Sequence, residues 1–163
     1  MFASASTLVS AHLVLFAFCA LPVMADWDYT STDMMIKGAD VIAVVNIGAV
    51  QDTNAPQKSL EFNQKAQATV EQTLKGSPPK SFTIYGGINC KGFVACVPDV
   101  SLSSGRSLVF LRRKGPDSDA YVSANADRGI QKIINDSVLW RENSDRAGKQ
   151  RKLGAVAALV KAK

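Results

Sequence analysis

The chain has 163 residues and a formal net charge of +5; 47% of its residues are hydrophobic and 20% are charged. This length suits one compact domain, and this composition excludes an intrinsically disordered polar chain. The single histidine, His12, lies in the apolar N-terminal segment. Without that segment, the chain lacks the histidine that Ser-His-Asp and Cys-His catalysis and His-ligated metal sites require.

Residues 1–25 are predicted to be a cleaved secretory signal peptide. An apolar core covers 13–21, and Val23 and Ala25 are small residues placed as a cleavage site requires, although no Lys or Arg precedes the core. The mature chain then begins at Asp26 and is secreted or periplasmic. A membrane anchor is the competing interpretation. Beyond this segment no apolar run is long enough to span a bilayer, so we expect no transmembrane segment in the mature chain.

The first elements of the mature chain are a short helix and a strand that is apolar on both faces. Thr30 or Ser31 can cap the helix, and Gly38 can end it. In the strand over 39–50, the residues of one face are Val41, Ala43, Val45 and Ile47, and those of the other are Ile42 and Val44. This pattern predicts burial on both sides over the first half of the strand.

The following elements are strands separated by turn residues. A loop over 51–63 precedes a strand over 65–74 that alternates polar and apolar residues. Its apolar face is predicted to contain Ala66, Ala68, Val70 and Leu74. Further strands are predicted over 81–85, with Phe82 and Ile84 inward, over 107–113, apolar on both faces, and over 121–124. A short strand over 130–134 and an apolar cluster over 138–140 follow.

The C-terminal segment predicts an amphipathic helix. Asn143 or Ser144 can cap it, and its apolar stripe comprises Leu153, Val156, Ala157 and Val160. We therefore expect a mainly β fold, a closed five-stranded antiparallel barrel with a short N-terminal helix and a C-terminal helix. The predicted division is a signal peptide over 1–25, a barrel over 26–140 and a basic helix over 141–163.

The positive charge is concentrated in that last segment. Residues 26–140 contain 12 basic and 12 acidic side chains, whereas residues 141–163 contain 7 basic and 2 acidic ones. A basic helix can attract an anionic surface. The favoured interpretation is a solvated helix without a partner, because runs of charge usually form solvated faces.

Two cysteines remain once the signal peptide, with Cys19, is removed. Cys90 and Cys96 enclose a short loop containing Gly92, and an even number of cysteines in an exported protein predicts a disulfide. Closing so short a loop stabilises a fold by about 2 kcal/mol. A redox or metal-binding pair is the alternative, but the spacing is too long for Cys-x-x-Cys and no further ligands lie nearby.

Four stretches of the chain carry a family resemblance. They are Val-Ile-Ala-Val-Val after Ala39-Asp40, the strand that ends in Leu74-Lys75-Gly76, Gly105 to Leu111 after Cys96, and Tyr121-Val-Ser-Ala. Their order resembles the secreted netrin-like domains, the superfamily that includes the tissue inhibitors of metalloproteinases, and most of all its bacterial-type secreted members. The resemblance covers about residues 39–124. It implies an OB-type barrel of five strands that binds or inhibits a partner and catalyses nothing.

The chain departs from these inhibitors at its N-terminus. The inhibitors chelate a catalytic zinc through the amine and carbonyl of an N-terminal cysteine, whereas the predicted mature terminus here is Asp26. An extracellular protease is still the most concrete protein partner that the resemblance implies. A nucleic-acid role is not expected, because the run Arg112-Arg113-Lys114 has few aromatic neighbours and the predicted barrel has no net charge.

Two groups of residues are candidates for binding. The first is the N-terminal tip of Asp26, Trp27, Asp28 and Tyr29, where exposed aromatics can anchor a partner or Trp27 can close one end of the barrel. The second is Tyr85, Lys91 and Phe93 around the predicted disulfide, where Phe93 can instead cover the sulfur atoms.

We expect no catalytic residue, metal or cofactor. The predicted function is that of an exported, non-catalytic binding module, resembling a protease inhibitor. The alternatives are an envelope-associated or structural protein that contacts an anionic surface through its basic helix, and an enzyme of unfamiliar type.

Overall fold

The computed structural model describes residues 31–54, 61–88, 101–116, 118–125, 128–140 and 148–163. This part of the chain forms two helices and nine strands. In chain order they are α1 (Thr32–Gly38), β1 (Val41–Ile47), β2 (Gln51–Asp52), β3 (Phe62–Lys75), β4 (Ser81–Ile88), β5 (Gly105–Arg113), β6 (Ala120–Ser123), β7 (Ile130–Ile134), β8 (Ser137–Trp140), β9 (Lys149–Lys152) and α2 (Leu153–Lys161). The prediction of a mainly β fold with a helix near each end is confirmed.

Five of the strands close into a barrel. Around the ring, β1 pairs with β3, β3 with β4, β4 with β6, β6 with β5, and β5 again with β1. This connectivity is that of an OB-type Greek-key barrel. The pairing of β4 with β6 is parallel and the other four are antiparallel. A wholly antiparallel ring, as predicted, is impossible, because an odd number of strands leaves one pair running the same way.

The inside of the barrel is filled by alternating side chains of all five strands. This barrel core consists of Val41, Ala43, Val45, Ile47, Ala66, Ala68, Phe82, Ile84, Val109, Leu111 and Tyr121, with Leu102 from the segment before β5. The rings of Phe82 and Tyr121 contact each other at 4.7 Å between centroids. The inward positions predicted for β1 and β4 are confirmed.

A second core covers the outer side of β1 and β5. This outer core consists of Ile42, Val44, Leu108 and Phe110 from the barrel, Met35, Ile36 and Ala39 from α1 and its C-cap, Ile133, Val138 and Trp140 from β7 and β8, and Leu153, Val156 and Val160 from α2. Trp140 packs against Phe110 at 5.8 Å between ring centroids. We call this side of the barrel the covered face, and the outer side of β3 and β4 the open face.

The β3 strand changes face near its end. Ala66, Ala68 and Val70 contribute to the barrel core as predicted, but Leu74 packs against the outer core. The register between β1 and β3 shifts twice, between Ile42 and Ala43 and between Val44 and Val45. Each β-bulge inserts a residue without a partner, so period two no longer predicts the face of Leu74.

The turn after β3 holds α1 in place. The helix is capped by Ser31, whose Oγ accepts a hydrogen bond from the Met34 amide at 3.2 Å. At its other end, Lys75 Nζ donates to the carbonyl oxygens of Ile36 at 2.6 Å and Ala39 at 2.7 Å. These bonds satisfy acceptors that a helix end leaves unpaired. Lys75, the last residue of β3, therefore anchors α1 to the barrel.

The C-terminal helix is shorter than predicted. It begins at Leu153, and the preceding basic residues form the edge strand β9, which pairs with β8. The guanidinium of Arg151 lies 5.9 Å from the Trp140 ring centroid. The sequence of β9 has no apolar alternation that would reveal a strand; it is ordered by pairing with β8. Within the described segments, no helix is both long and apolar enough to cross a bilayer.

Candidate functional site

An open cleft of ≈ 310 Å³ lies on the open face of the barrel. Its lining comes from β3, from β4 and from the connection between β1 and β3. The residues are Ala49, Gln51, Lys65, Ala66, Gln67, Thr83 and Tyr85. A volume near 300 Å³ is at the lower limit for small-molecule pockets. We call it the open-face cleft.

The cleft follows from the alternation of β3 and β4. Ala66 and Phe82 fill the barrel core, so their neighbours along each strand point outward. The register then places Lys65 opposite Tyr85 and Gln67 opposite Thr83. Gln67 Nε2 donates a hydrogen bond to Thr83 Oγ1 at 3.1 Å, and Gln67 Oε1 accepts one from Ser81 Oγ at 3.4 Å. One contiguous surface is thus formed by four polar or aromatic side chains, those of Lys65, Gln67, Thr83 and Tyr85.

A lysine covers the aromatic end of this surface. Lys114 Nζ lies 4.0 Å from the centroid of the Tyr85 ring and 6.0 Å from that of Phe62. The two rings are tilted by 53° with their centroids 6.4 Å apart. The Lys114 amide donates to the Ala120 carbonyl at 2.8 Å, which fixes the start of the β5–β6 connection. An exposed cation over half-buried aromatic rings such as these gains about 0.5–1 kcal/mol.

The charge of this region is positive. Neither Lys65 nor Lys114 takes part in an ion pair with another described residue. The contacts with two rings already restrict the position of Lys114. Ordering this side chain therefore costs less when a carboxylate or carbonyl group binds to it.

A separate ion cluster is structural. Arg106 Nε donates to Glu71 Oε2 at 2.7 Å and Nη1 lies 3.4 Å from Asp136 Oδ1. The hydrogen bond to Glu71, assisted by the charges of both carboxylates, raises the pKa of Arg106 above its ordinary value. Because arginine is already protonated at every physiological pH, this shift creates no switch. The cluster joins β3, β5 and the β7–β8 turn.

Only one of the predicted binding residues belongs to the described part of the chain. Tyr85 lines the open-face cleft, where it contacts Phe62 and Lys114. The other predicted residues lie outside the described residues: Asp26, Trp27, Asp28, Tyr29, Lys91 and Phe93, with Cys90 and Cys96 of the proposed disulfide.

Apart from Tyr85, none of the residues that line the cleft was predicted as a site residue, and neither were the neighbouring Phe62 and Lys114. Phe62 was assigned to a loop, Lys114 to a basic run, and Gln67 to the polar side of a strand. Strand alternation alone identifies Gln67 as outward. The contact of Phe62 with Lys114 depends on the ring closure through β6 and on the path of the β5–β6 connection, which no local pattern encodes.

The described residues contain no group of three or more His, Cys, Asp or Glu side chains arranged to hold a metal ion. Comparison of the chain with protein-family models, curated proteins and solved structures finds no match. The resemblance to netrin-like domains therefore stays a prediction.

Proposed function

We propose that the protein is an exported, non-catalytic binding module that holds a protein partner on its open face. The observation that carries this proposal is the position of the open-face cleft. It occupies the second and third strands of the barrel, next to the connection between the first and second strands. OB-type barrels use this face and its flanking loops to bind ligands.

The side chains at the cleft are suited to reversible contact. Tyr85 offers a ring and a hydroxyl, and Lys65 and Lys114 offer cations without ion-pair partners among the described residues. Tyrosine and cations on long stems are adaptable interface groups, since they combine apolar area with a polar end. A partner segment with a carboxylate beside an apolar side chain would complement both.

A protein partner fits the charge better than nucleic acid does. Binding to a polynucleotide requires a groove with a strong positive field and several aromatic stacking platforms. Residues 26–140 carry equal numbers of basic and acidic side chains. The described aromatics of the open face are Phe62 and Tyr85, whose rings already contact Lys114.

Inhibition of an extracellular protease is the narrower form of this proposal. It is supported by the resemblance to netrin-like domains, but the predicted terminus at Asp26 lacks the zinc-chelating cysteine of the inhibitors. Inhibition would therefore proceed through contacts of the open face and not through the terminal amine. A panel of extracellular proteases assayed with the mature protein tests this form directly.

Contact with an anionic surface is the second candidate function. The apolar residues Leu153, Val156 and Val160 of α2 are buried against the barrel. The lysines of β9 and of the helix C-terminus consequently remain exposed. This arrangement favours an envelope-associated protein with a basic surface over a helix that inserts into a bilayer.

Partner capture with matched variants tests the main proposal. Mature protein, wild type or carrying Lys114→Gln or Tyr85→Ala, is used to capture proteins from its native surroundings. Lys132→Gln is the control, because Lys132 is an exposed lysine of β7 outside the open-face cleft. We expect one partner to be captured by the wild type and the control and lost from both cleft variants.

Other outcomes contradict the proposal. Equal capture by all four proteins would remove the open-face cleft from recognition. Tight binding of a single-stranded oligonucleotide, or turnover of a substrate by highly purified protein, would replace the proposed class. Mass spectrometry of secreted protein should give Asp26 as the first residue, and retention of residues 1–25 would contradict export by cleavage.

A further inference from the structure

A second cleft, of ≈ 350 Å³, lies between the C-terminal ends of the two helices, away from the open face. Its walls come from α1, the end of β3 and the end of the chain. The lining residues are Asp33, Ile36, Lys37, Leu74, Lys75, Val160, Lys161 and Lys163. We call it the lysine cleft, because four of these eight residues are lysines.

The four lysines come from three separate places in the chain. Lys37 ends α1, Lys75 ends β3, and Lys161 and Lys163 end α2 and the chain. Asp33 is the single carboxylate of the lining. The fold thus brings an excess of positive charge into one concave place, where like charges repel one another unless an anion binds between them.

The four lysines differ in the hydrogen bonds and ion pairs that they form with described residues. Lys75 Nζ uses two of its three N–H groups on the carbonyls of Ile36 and Ala39. Its third N–H has no partner among the described residues. Lys163 pairs with Asp33 at 3.0 Å, whereas Lys37 and Lys161 form no ion pair with any described residue. One ammonium is therefore fixed in the cleft, and two more at its sides are uncompensated.

We propose that the lysine cleft binds a phosphate-bearing anion. An arginine fork matches the planar geometry of a carboxylate, but this lining contains lysines and no arginine. Ammonium groups act as point charges that can converge on a tetrahedral anion from several directions. Because Lys75 is already positioned by α1, its ordering costs little when the anion binds.

The phosphate group can belong to a soluble molecule or to a lipid headgroup. This inference rests on the second candidate function, contact with an anionic partner. It proposes the lysine cleft as the place where that contact occurs. It is independent of the open-face cleft. Loss of phosphate binding would consequently leave capture of a protein partner unchanged.

Two matched double variants test the inference. Lys37→Gln with Lys161→Gln removes two uncompensated cations of the lysine cleft, and Lys149→Gln with Lys152→Gln removes two exposed cations of β9. Titration calorimetry with inorganic pyrophosphate reports soluble phosphate. Sedimentation with phosphatidylglycerol–phosphatidylcholine vesicles, against phosphatidylcholine alone, reports the headgroup. Both use the mature protein in phosphate-free buffer at low salt.

We expect the cleft variant to weaken binding by about tenfold, because hydrogen bonds to charged groups are the strongest polar contacts. The β9 variant should bind pyrophosphate as the wild type does, because Lys149 and Lys152 lie outside the lysine cleft, and it should lose less vesicle binding than the cleft variant does. Saturable binding of pyrophosphate identifies a soluble ligand, and cleft-dependent binding to vesicles alone identifies a headgroup. Binding that is absent, or reduced equally in both variants, overturns the inference. Vesicle binding lost only in the β9 variant overturns it while keeping the second candidate function.

Discussion

The two faces of the barrel are built by the same alternation of side chains but serve different purposes. On β1 and β5 the central outward positions are apolar, so α1, α2, β7 and β8 cover them and form the outer core. These positions are Ile42, Val44, Leu108 and Phe110. On β3 and β4 the outward positions are Lys65, Gln67, Thr83 and Tyr85, which line the open-face cleft. The polarity of the outward residues thus decides whether a face of the barrel is covered and stabilises the fold or remains open to solvent.

The largest expected effect is on the covered face. Trp140 is 2% exposed and packs against Phe110 in the outer core. Trp140→Ala should lower the free energy of unfolding by about 3–5 kcal/mol, because the cavity it leaves cannot be refilled. Urea denaturation followed by circular dichroism measures this loss. A loss below about 1 kcal/mol would show that the outer core contributes little to stability.

The turn between β3 and β4 should be almost as sensitive. Gly76 has a φ of 77°, and an added Cβ would collide with the carbonyl oxygen of Asp40. Gly76→Ala should therefore destabilise the fold by about 3 kcal/mol, the upper end of the cost of a strained residue. Thermal unfolding measures it. Gly115→Ala is the control, since a Cβ there meets no atom within 4 Å; equal losses would contradict the explanation.

Removing the hydrogen bonds that anchor α1 should have a smaller effect on the free energy of unfolding. Lys75→Met keeps the apolar stem but removes the two hydrogen bonds to the carbonyls of Ile36 and Ala39. We expect a loss of about 2 kcal/mol, as for hydrogen bonds that involve a charged group. Hydrogen exchange should show faster exchange of the α1 amides in this variant. Unchanged protection of those amides would mean that the outer core alone holds the helix.

The smallest effect on stability is expected on the open face. Tyr85→Ala removes the ring that contacts Lys114 and Phe62, so the free energy of unfolding should fall by about 1 kcal/mol. The same urea denaturation measures it, with Tyr85→Phe as a control that keeps the ring. A loss as large as that of Trp140→Ala would mean that Tyr85 is a core residue and not a binding residue.

The interior of the barrel could be predicted from the sequence because it depends on local alternation. Apolar residues at both odd and even positions of β1 predicted a strand that is buried on both faces. Ile42 and Val44 do lie in the outer core. The apolar stripe of the terminal helix was also predictable, since Leu153, Val156 and Val160 follow its period. In these cases the sequence of one segment is enough to predict which of its side chains are buried.

The remaining features depend on pairing between distant segments. Leu74 lies on the other face because the register of β3 against β1 shifts by one residue between Val70 and Gln72, which reverses the alternation before Leu74. The strand β9 carries no apolar residue and is ordered by pairing with β8. The contact of Lys114 with Phe62 and Tyr85 arises only once the barrel is closed. Since register and closure are global properties, Tyr85 could be proposed from the sequence but its partners could not.

The closure of the ring between β1 and β5 has a consequence for folding kinetics. Its register joins Val41 to Leu111, so much of the chain must be released from the ribosome or translocated before β1 gains this partner. Contacts of such long sequence separation form slowly. Until then the β1 segment, apolar on both sides, is an aggregation hazard. The delay between the synthesis of β1 and that of β5 therefore sets how long this hazard lasts.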